Sequence, residues 1–176
     1  MLVKLSDCGN YFHKYTNVYD KIDKIPNYKN DKSIQEYISL TRLFLKDIEN
    51  VHSKIRNAGF PILPLYFVDD DKGGYLVEKK GNGKEVREHF KELHRYHDMI
   101  KQKRREMLEN IKESTGIQLY DIHEGNTLFD TKTKEIEIFD FEQNSQSKPL
   151  FIKMRKLESE IYKRTKTYKS PSKSII

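Results

Sequence analysis

The sequence predicts an α+β chain, and three observations predict it. Short apolar runs broken by turn residues recur in the first 80 positions on either side of one helical stretch at 33–57, glycines follow at 81 and 83, and segments with helical apolar spacing dominate from there on. Before the glycines, runs at 2–6, 11–15 and 18–23 are separated by DCGN and YTN, the pattern of a small antiparallel sheet. From Ser33, Ile34, Tyr37, Ile38, Phe44, Leu45, Ile48, Val51 and Ile55 recur near a 3.6-residue period, so 33–57 is a long amphipathic helix. Asp31 or Ser33 can cap it, and NAG stops it. FPILPLYFVDD and GYLVEKK then form a second hairpin around DDKG. Beyond GNG a helical region runs to about Ser114 with a break near His94–His97, and Gly116 closes it. Thr127–Phe129 and Ile136–Phe141 flank TKTK as a short hairpin, Leu150–Lys163 is helical, and TKTYKSPSKSII has the composition of a frayed end.

Composition narrows the function classes. The 176 residues support one domain, or two small lobes around a cleft, and 11 Tyr plus 9 Phe set the chain apart from disordered segments. Cys8 is the single cysteine, which excludes an internal disulfide and fits a reducing compartment; beside Gly9 it is expected to serve as a small loop residue. No apolar run approaches the roughly 18 residues of a spanning helix, and no apolar secretory stretch opens the sequence, so no membrane span is expected. The excess behind the net charge of +6 is concentrated in KQKRRE at 101–106 and in the stretch from Lys153 to Lys173. Clustered cations suit nucleic acid, but Asp and Glu are interspersed almost everywhere, so a solvated surface is the expectation. His94 and His97 have a helical i, i+3 spacing that suits zinc, with no further ligand placed to complete a site, and are expected at the surface.

One stretch stands out. In LYDIHEGNTLFDTKTKEIEIFDFEQ, Asp121 and Asn126 precede the first short strand and Asp140 closes the second. A hairpin of that length brings the three side by side, and such hard oxygen ligands suit magnesium carrying a phosphate.

YDIHEGN, with its Asp-x-x-x-x-Asn spacing, resembles the catalytic loop of the protein-kinase-like superfamily, and its wording is similar to antibiotic phosphotransferases and other atypical kinases. Fourteen residues after Asn126, IFDFE stands where that family has its magnesium-binding Asp-Phe-Gly, with Glu142 in place of the glycine. The resemblance implies a bilobal fold: a small antiparallel N-lobe (1–80), a hinge (81–84), a truncated helical C-lobe (85–165) and a flexible tail (166–176). It implies an ATP- and Mg-dependent kinase in which Asp121 orients the acceptor hydroxyl, Asn126 and Asp140 hold metal, and His123 stands near the γ-phosphate or braces the loop. Gly9 would be the remnant of a glycine-rich loop. Lys21 would face the phosphates, with Lys24 as its substitute, paired to a helix glutamate that is either Glu36 or Glu49. Glu78 and Lys80 would lie where the hinge backbone receives adenine.

The missing large helical region resembles the minimal kinases that some bacteria deliver into host cells. A cytoplasmic or host-delivered enzyme with a protein Ser/Thr substrate, and with an activating protein partner, is therefore the expectation. A pseudokinase that binds nucleotide without transfer, and a basic nucleic-acid-binding protein, are the competing readings.

Overall fold

Residues 4–167 are described by a computed structural model. The start of the first expected strand, residues 2 and 3, and the tail beyond 167 lie outside the described residues. Strand β1 (Lys4–Cys8) turns at Gly9, whose φ of 62° requires a residue without a side chain penalty, into β2 (Tyr11–Tyr15). A second hairpin, β3 (Leu65–Val68) and β4 (Tyr75–Lys79), completes an antiparallel sheet in the order β1-β2-β4-β3. Phe12 faces Glu78 and Lys14 faces Leu76 across the β2–β4 ladder.

The strand expected at 18–23 is instead a 3-10 segment, Tyr19–Lys24. Both edges of β2 are already taken, by β1 and β4, and the buried residues here are Val18, Ile22 and Ile25. Spacings of four and three put those side chains on one face of a helical turn, whereas a strand would scatter them over both faces.

Helix α1 (Lys32–Asn57) starts at Asp31, whose carboxylate accepts the N–H of Ser33 at 3.1 Å and of Ile34 at 3.2 Å. Such a cap is worth about 1 kcal/mol. Each fully buried Ile, Phe or Leu contributes about 1.5–3 kcal/mol. With Ile34, Phe44, Leu45, Ile48, Val51 and Ile55 all buried, packing outweighs the cap in holding α1. The first part of the helix shares a core with Leu65, Leu76 and the 3-10 segment, and its last turns share another with Ile62, Ile111, Ile117, Ile138 and Phe141. One helix therefore spans both packing units.

The second sheet has the order β5-β6-β7, from Lys84–Glu85, Thr127–Phe129 and Ile136–Ile138. The glycines before it are packed rather than merely flexible. A Cβ at Gly81 would fall 2.2 Å from Leu128 Cδ1, and one at Gly83 would fall 3.0 Å from the Phe129 backbone. Helix α2 (Phe90–Leu93) and a 3-10 turn at His94–Tyr96 lead into α3 (His97–Thr115), which places the expected break where the sequence put it. Gly116, at φ 71°, ends α3.

Helix α4 (Lys148–Thr167) corrects the expected division of the chain. The sequence places it with the second half, but Met154 and Ile161 are buried in the same core as Ile34, Tyr37 and Phe44 of α1, and Phe151 packs on Phe44 with ring centroids 5.8 Å apart. At its far end Arg164 bonds both Asp31 and, at 3.2 Å, Ser33 Oγ, so the α1 cap is also the anchor of α4. Among the described residues no helix is long and apolar enough to cross a membrane. Because Asp31 serves both helices, Asp31→Ala should lower stability by about 1–2 kcal/mol, measured by urea unfolding, and Arg164→Ala should cost less.

Candidate active site

The two sheets meet at Asp140, two residues after β7 ends. Its backbone sits at φ 55°, a left-handed conformation that costs a non-glycine residue energy and persists only where the surroundings impose it. Two groups impose it here. Glu78 Oε1 accepts the Asp140 N–H at 3.2 Å, and Asn126 Nδ2 donates to the Asp140 carbonyl at 3.1 Å. Phe141 then turns inward and stacks on His52 of α1, with centroids 3.7 Å apart and planes 7° from parallel. Burial, reinforced by the charge of Lys14, holds the His52 pKa well below the usual imidazole value, so it serves as a neutral aromatic surface.

Lys14 reaches the same point from β2. Its Nζ lies 2.5 Å from Glu78 Oε2 and 3.0 Å from Asp140 Oδ1, with Lys14 3% and Glu78 1% exposed. Burial works against the ammonium, but the carboxylates of Glu78 and Asp140 outweigh it and hold the Lys14 pKa above its ordinary value. Burial pushes the Glu78 carboxyl up, while the ammonium beside it pulls it back. Asp140 is 37% exposed and is the member of the triad that a ligand can reach.

The loop before β6 is built as tightly. Tyr120 N donates to Gln143 O at 2.8 Å, and Asp121 follows at φ 58°, a second left-handed aspartate. His123 Nδ1 accepts the Gly125 N–H at 3.1 Å, closing the short turn that delivers Asn126. Glu124 points outward to Arg104, 3.0 Å away. Asn126 is buried, and its Oδ1 has no protein partner, since the carboxamide nitrogen is the end committed to Asp140.

Two cavities meet at Asp140. One, of about 400 Å³, has Phe12, Leu63, Leu128 and Phe139 on its walls and is also lined by Lys14 and Glu78. The other, of about 260 Å³, is polar and is lined by Asp121, Asn126, Asp140, Glu142, His123 and Arg87, among others. The structure thus brings Asp121, Asn126 and Asp140 to one place, as the motif spacing predicts.

The residues assigned to the phosphate end require correction. Lys21 lies 3.9 Å over the Tyr162 ring, in a separate cavity beside α4, because the segment that carries it is a 3-10 turn packed on that helix and not a strand of the sheet. Lys24 is exposed on the same turn. Glu36 pairs with Lys153 of α4 at 3.3 Å on the surface, and Glu49 accepts the Phe67 N–H at 2.9 Å, so neither helix glutamate meets a lysine at the site. Gly9 stays in the β1–β2 turn and lines neither cavity. Glu78 is present at the site through its side chain as the partner of Lys14. Lys80 lines the larger cavity, but its backbone N–H is taken by Asn10 O at 2.9 Å. Lys14, Arg87 and His52 were missed. Lys14 had a signal: in YFHKY it alternates with Phe12 onto the face of β2 that turns inward.

No protein-family model matches the chain, and no curated protein matches it. Geometry alone therefore bears on what the site does. Among the described residues no group of three or more His, Cys, Asp or Glu side chains is arranged to hold a metal. A magnesium ion that arrives on phosphates would need only one or two protein ligands, and the oxygens that could serve are Asn126 Oδ1, which has no protein partner, and the partly exposed Asp140 carboxylate.

Glu142 makes a pH-dependent prediction. Burial, with the neighbouring Asp140 charge, pushes its carboxyl up from about 4.5 to about 8. A raised carboxyl stabilises the fold fully below its unfolded value and loses that contribution as pH rises through about 8. Thermal unfolding between pH 5 and 9 should therefore show Glu142→Gln gaining on wild type as pH rises. Separately, Lys14→Met should destabilise by about 3–5 kcal/mol by stranding Glu78, and adding Glu78→Met should recover much of the loss.

Proposed function

We propose that the chain is an ATP- and Mg-dependent phosphotransferase of the minimal kinase type, moving the γ-phosphoryl group of ATP to a hydroxyl acceptor. The observation that carries this reading is the meeting of the two cavities at Asp140, with Lys14 on one side and Asp121 and Asn126 on the other. The apolar walls of the larger cavity suit a base, and Lys14 suits the phosphates that follow it toward Asp140. Magnesium held by Asn126 and Asp140 would neutralise charge on those phosphates.

Asp121 orients the acceptor hydroxyl and receives its proton. The acceptor oxygen forms the new bond to phosphorus as the bond to the bridging oxygen breaks, and ADP departs with that electron pair. Glu78 and the Asp140 N–H fix the geometry beforehand, which matters because this chemistry rests on positioning and charge neutralisation. A protein Ser or Thr is favoured as acceptor.

The nucleic-acid reading is less well supported, since cations of α3 and α4 are paired with acids: Lys103 with Glu135, Arg104 with Glu124, Lys153 with Glu36 and Arg164 with Asp31. A test uses radiolabelled ATP with magnesium, scored for transfer to the chain itself or to added protein, alongside thermal unfolding with nucleotide. Asp121→Asn should cut transfer about 10²- to 10⁴-fold and keep the nucleotide-dependent rise in unfolding temperature, whereas Asp140→Ala should lose both. A metal-dependent rise without transfer in wild type would point instead to a nucleotide-binding regulator. No rise with any nucleotide would remove the kinase reading.

A further inference from the structure

The polar cavity holds a cation that the motif reading does not account for. Arg87 follows β5, and its backbone N–H donates to Glu124 O at 3.3 Å, so the strand carries it to the loop that contains Asp121 and Asn126. Its Nη2 lies 3.1 Å from Nδ1 and 3.4 Å from Nε2 of His123. The single lone pair of His123 Nδ1 is taken by the Gly125 N–H, so the guanidinium lies in contact with the ring near both nitrogens. The His123 ring thereby packs against Arg87 and helps fix its place.

Gly125 gives an independent observation. Its φ is not in the left-handed region, so the backbone does not require glycine. Space does: a Cβ there would lie 2.7 Å from Arg87 Cζ and 3.0 Å from its Nε. The glycine of DIHEGN is the floor on which the guanidinium lies. Among the described residues lining this cavity, Arg87 is the one Lys or Arg, and Asp121, Asp140 and Glu142 line it too. With Asp121 and Asp140 alone, the cavity would repel the polyanion that the site is proposed to process.

We propose that Arg87 is a catalytic residue that binds the γ-phosphoryl group and stabilises the charge it carries while the bond to ADP breaks and the bond to the acceptor forms. This rests on the phosphotransferase reading above. A guanidinium suits the task because it stays charged and presents several N–H groups to phosphoryl oxygens in one plane. Its place within the same chain would spare the need for a cation from a partner.

The experiment compares stabilisation by ADP and by the non-hydrolysable β,γ-imido analogue of ATP, each with magnesium, in wild type, Arg87→Ala, Arg87→Lys and Gly125→Ala. Wild type should be stabilised more by the analogue than by ADP. Arg87→Ala should abolish that difference, keep the ADP effect, and lower label transfer from ATP about 10²- to 10³-fold. Arg87→Lys should retain part of both. Gly125→Ala should unfold normally without nucleotide, since only the end of a flexible side chain must move, yet behave like Arg87→Ala. If Arg87→Ala keeps the preference for the analogue, or loses the ADP effect too, the proposal is overturned. If neither nucleotide stabilises wild type, the phosphotransferase reading fails first and takes this one with it.

Discussion

Everything near the site hangs on one buried ion pair. Lys14 and Glu78 sit on adjacent strands with almost no contact with water, and their attraction offsets a desolvation cost that either charge alone could not meet. Glu78 uses its second oxygen to hold the Asp140 N–H, so the pair reaches from the first sheet to the end of the second. The left-handed Asp140 backbone, the inward turn of Phe141 and the outward carboxylate are all set by that grip.

The two packing units are joined in a second way, by α1. Its early turns bury against the first sheet and α4, and its last turns bury against Ile138 and Phe141. Between them His52 lies flat on Phe141. The polar tie through Glu78 and the apolar tie through His52 grip neighbouring residues, 140 and 141, from opposite sides. Neither tie requires a hinge: the Gly81 and Gly83 backbone lies close against Leu128 and Phe129, because no side chain intervenes.

Much of the site was legible in the sequence because its parts are local. Asp121, Asn126 and Asp140 are separated by a turn and one short hairpin, so spacing alone nearly fixes their meeting. The lysine was not legible in the same way. With 33 Lys and Arg in the chain, a lysine at any position is weak evidence, and choosing Lys14 over Lys21 needed knowledge of which strands pair. That is a long-range fact: Lys14 meets Glu78 and Asp140 across 64 and 126 positions. The α1, β3, β4 and α3 segments were readable from periodicity and breakers. The 3-10 turn was misread as a strand although Ile22 within it and Val18 and Ile25 at its two ends, all buried, already carried a helical spacing. The docking of α4 on α1 could not be read from α4 alone, since an amphipathic helix shows that it has a partner and not which one.

The placement of Glu78 on a strand has a consequence for control. A lysine whose partner rides on a helix can be switched off by rotating that helix away. Here lysine and glutamate are neighbours in one hydrogen-bonded ladder, and sliding α1 would leave them together. To part them the β2–β4 pairing itself would have to shift register, which turns every inward side chain outward and unmakes the sheet. The geometry around Asp140 is thus wired to the integrity of the fold, and a signal that governs this site would have to act on what enters the two cavities.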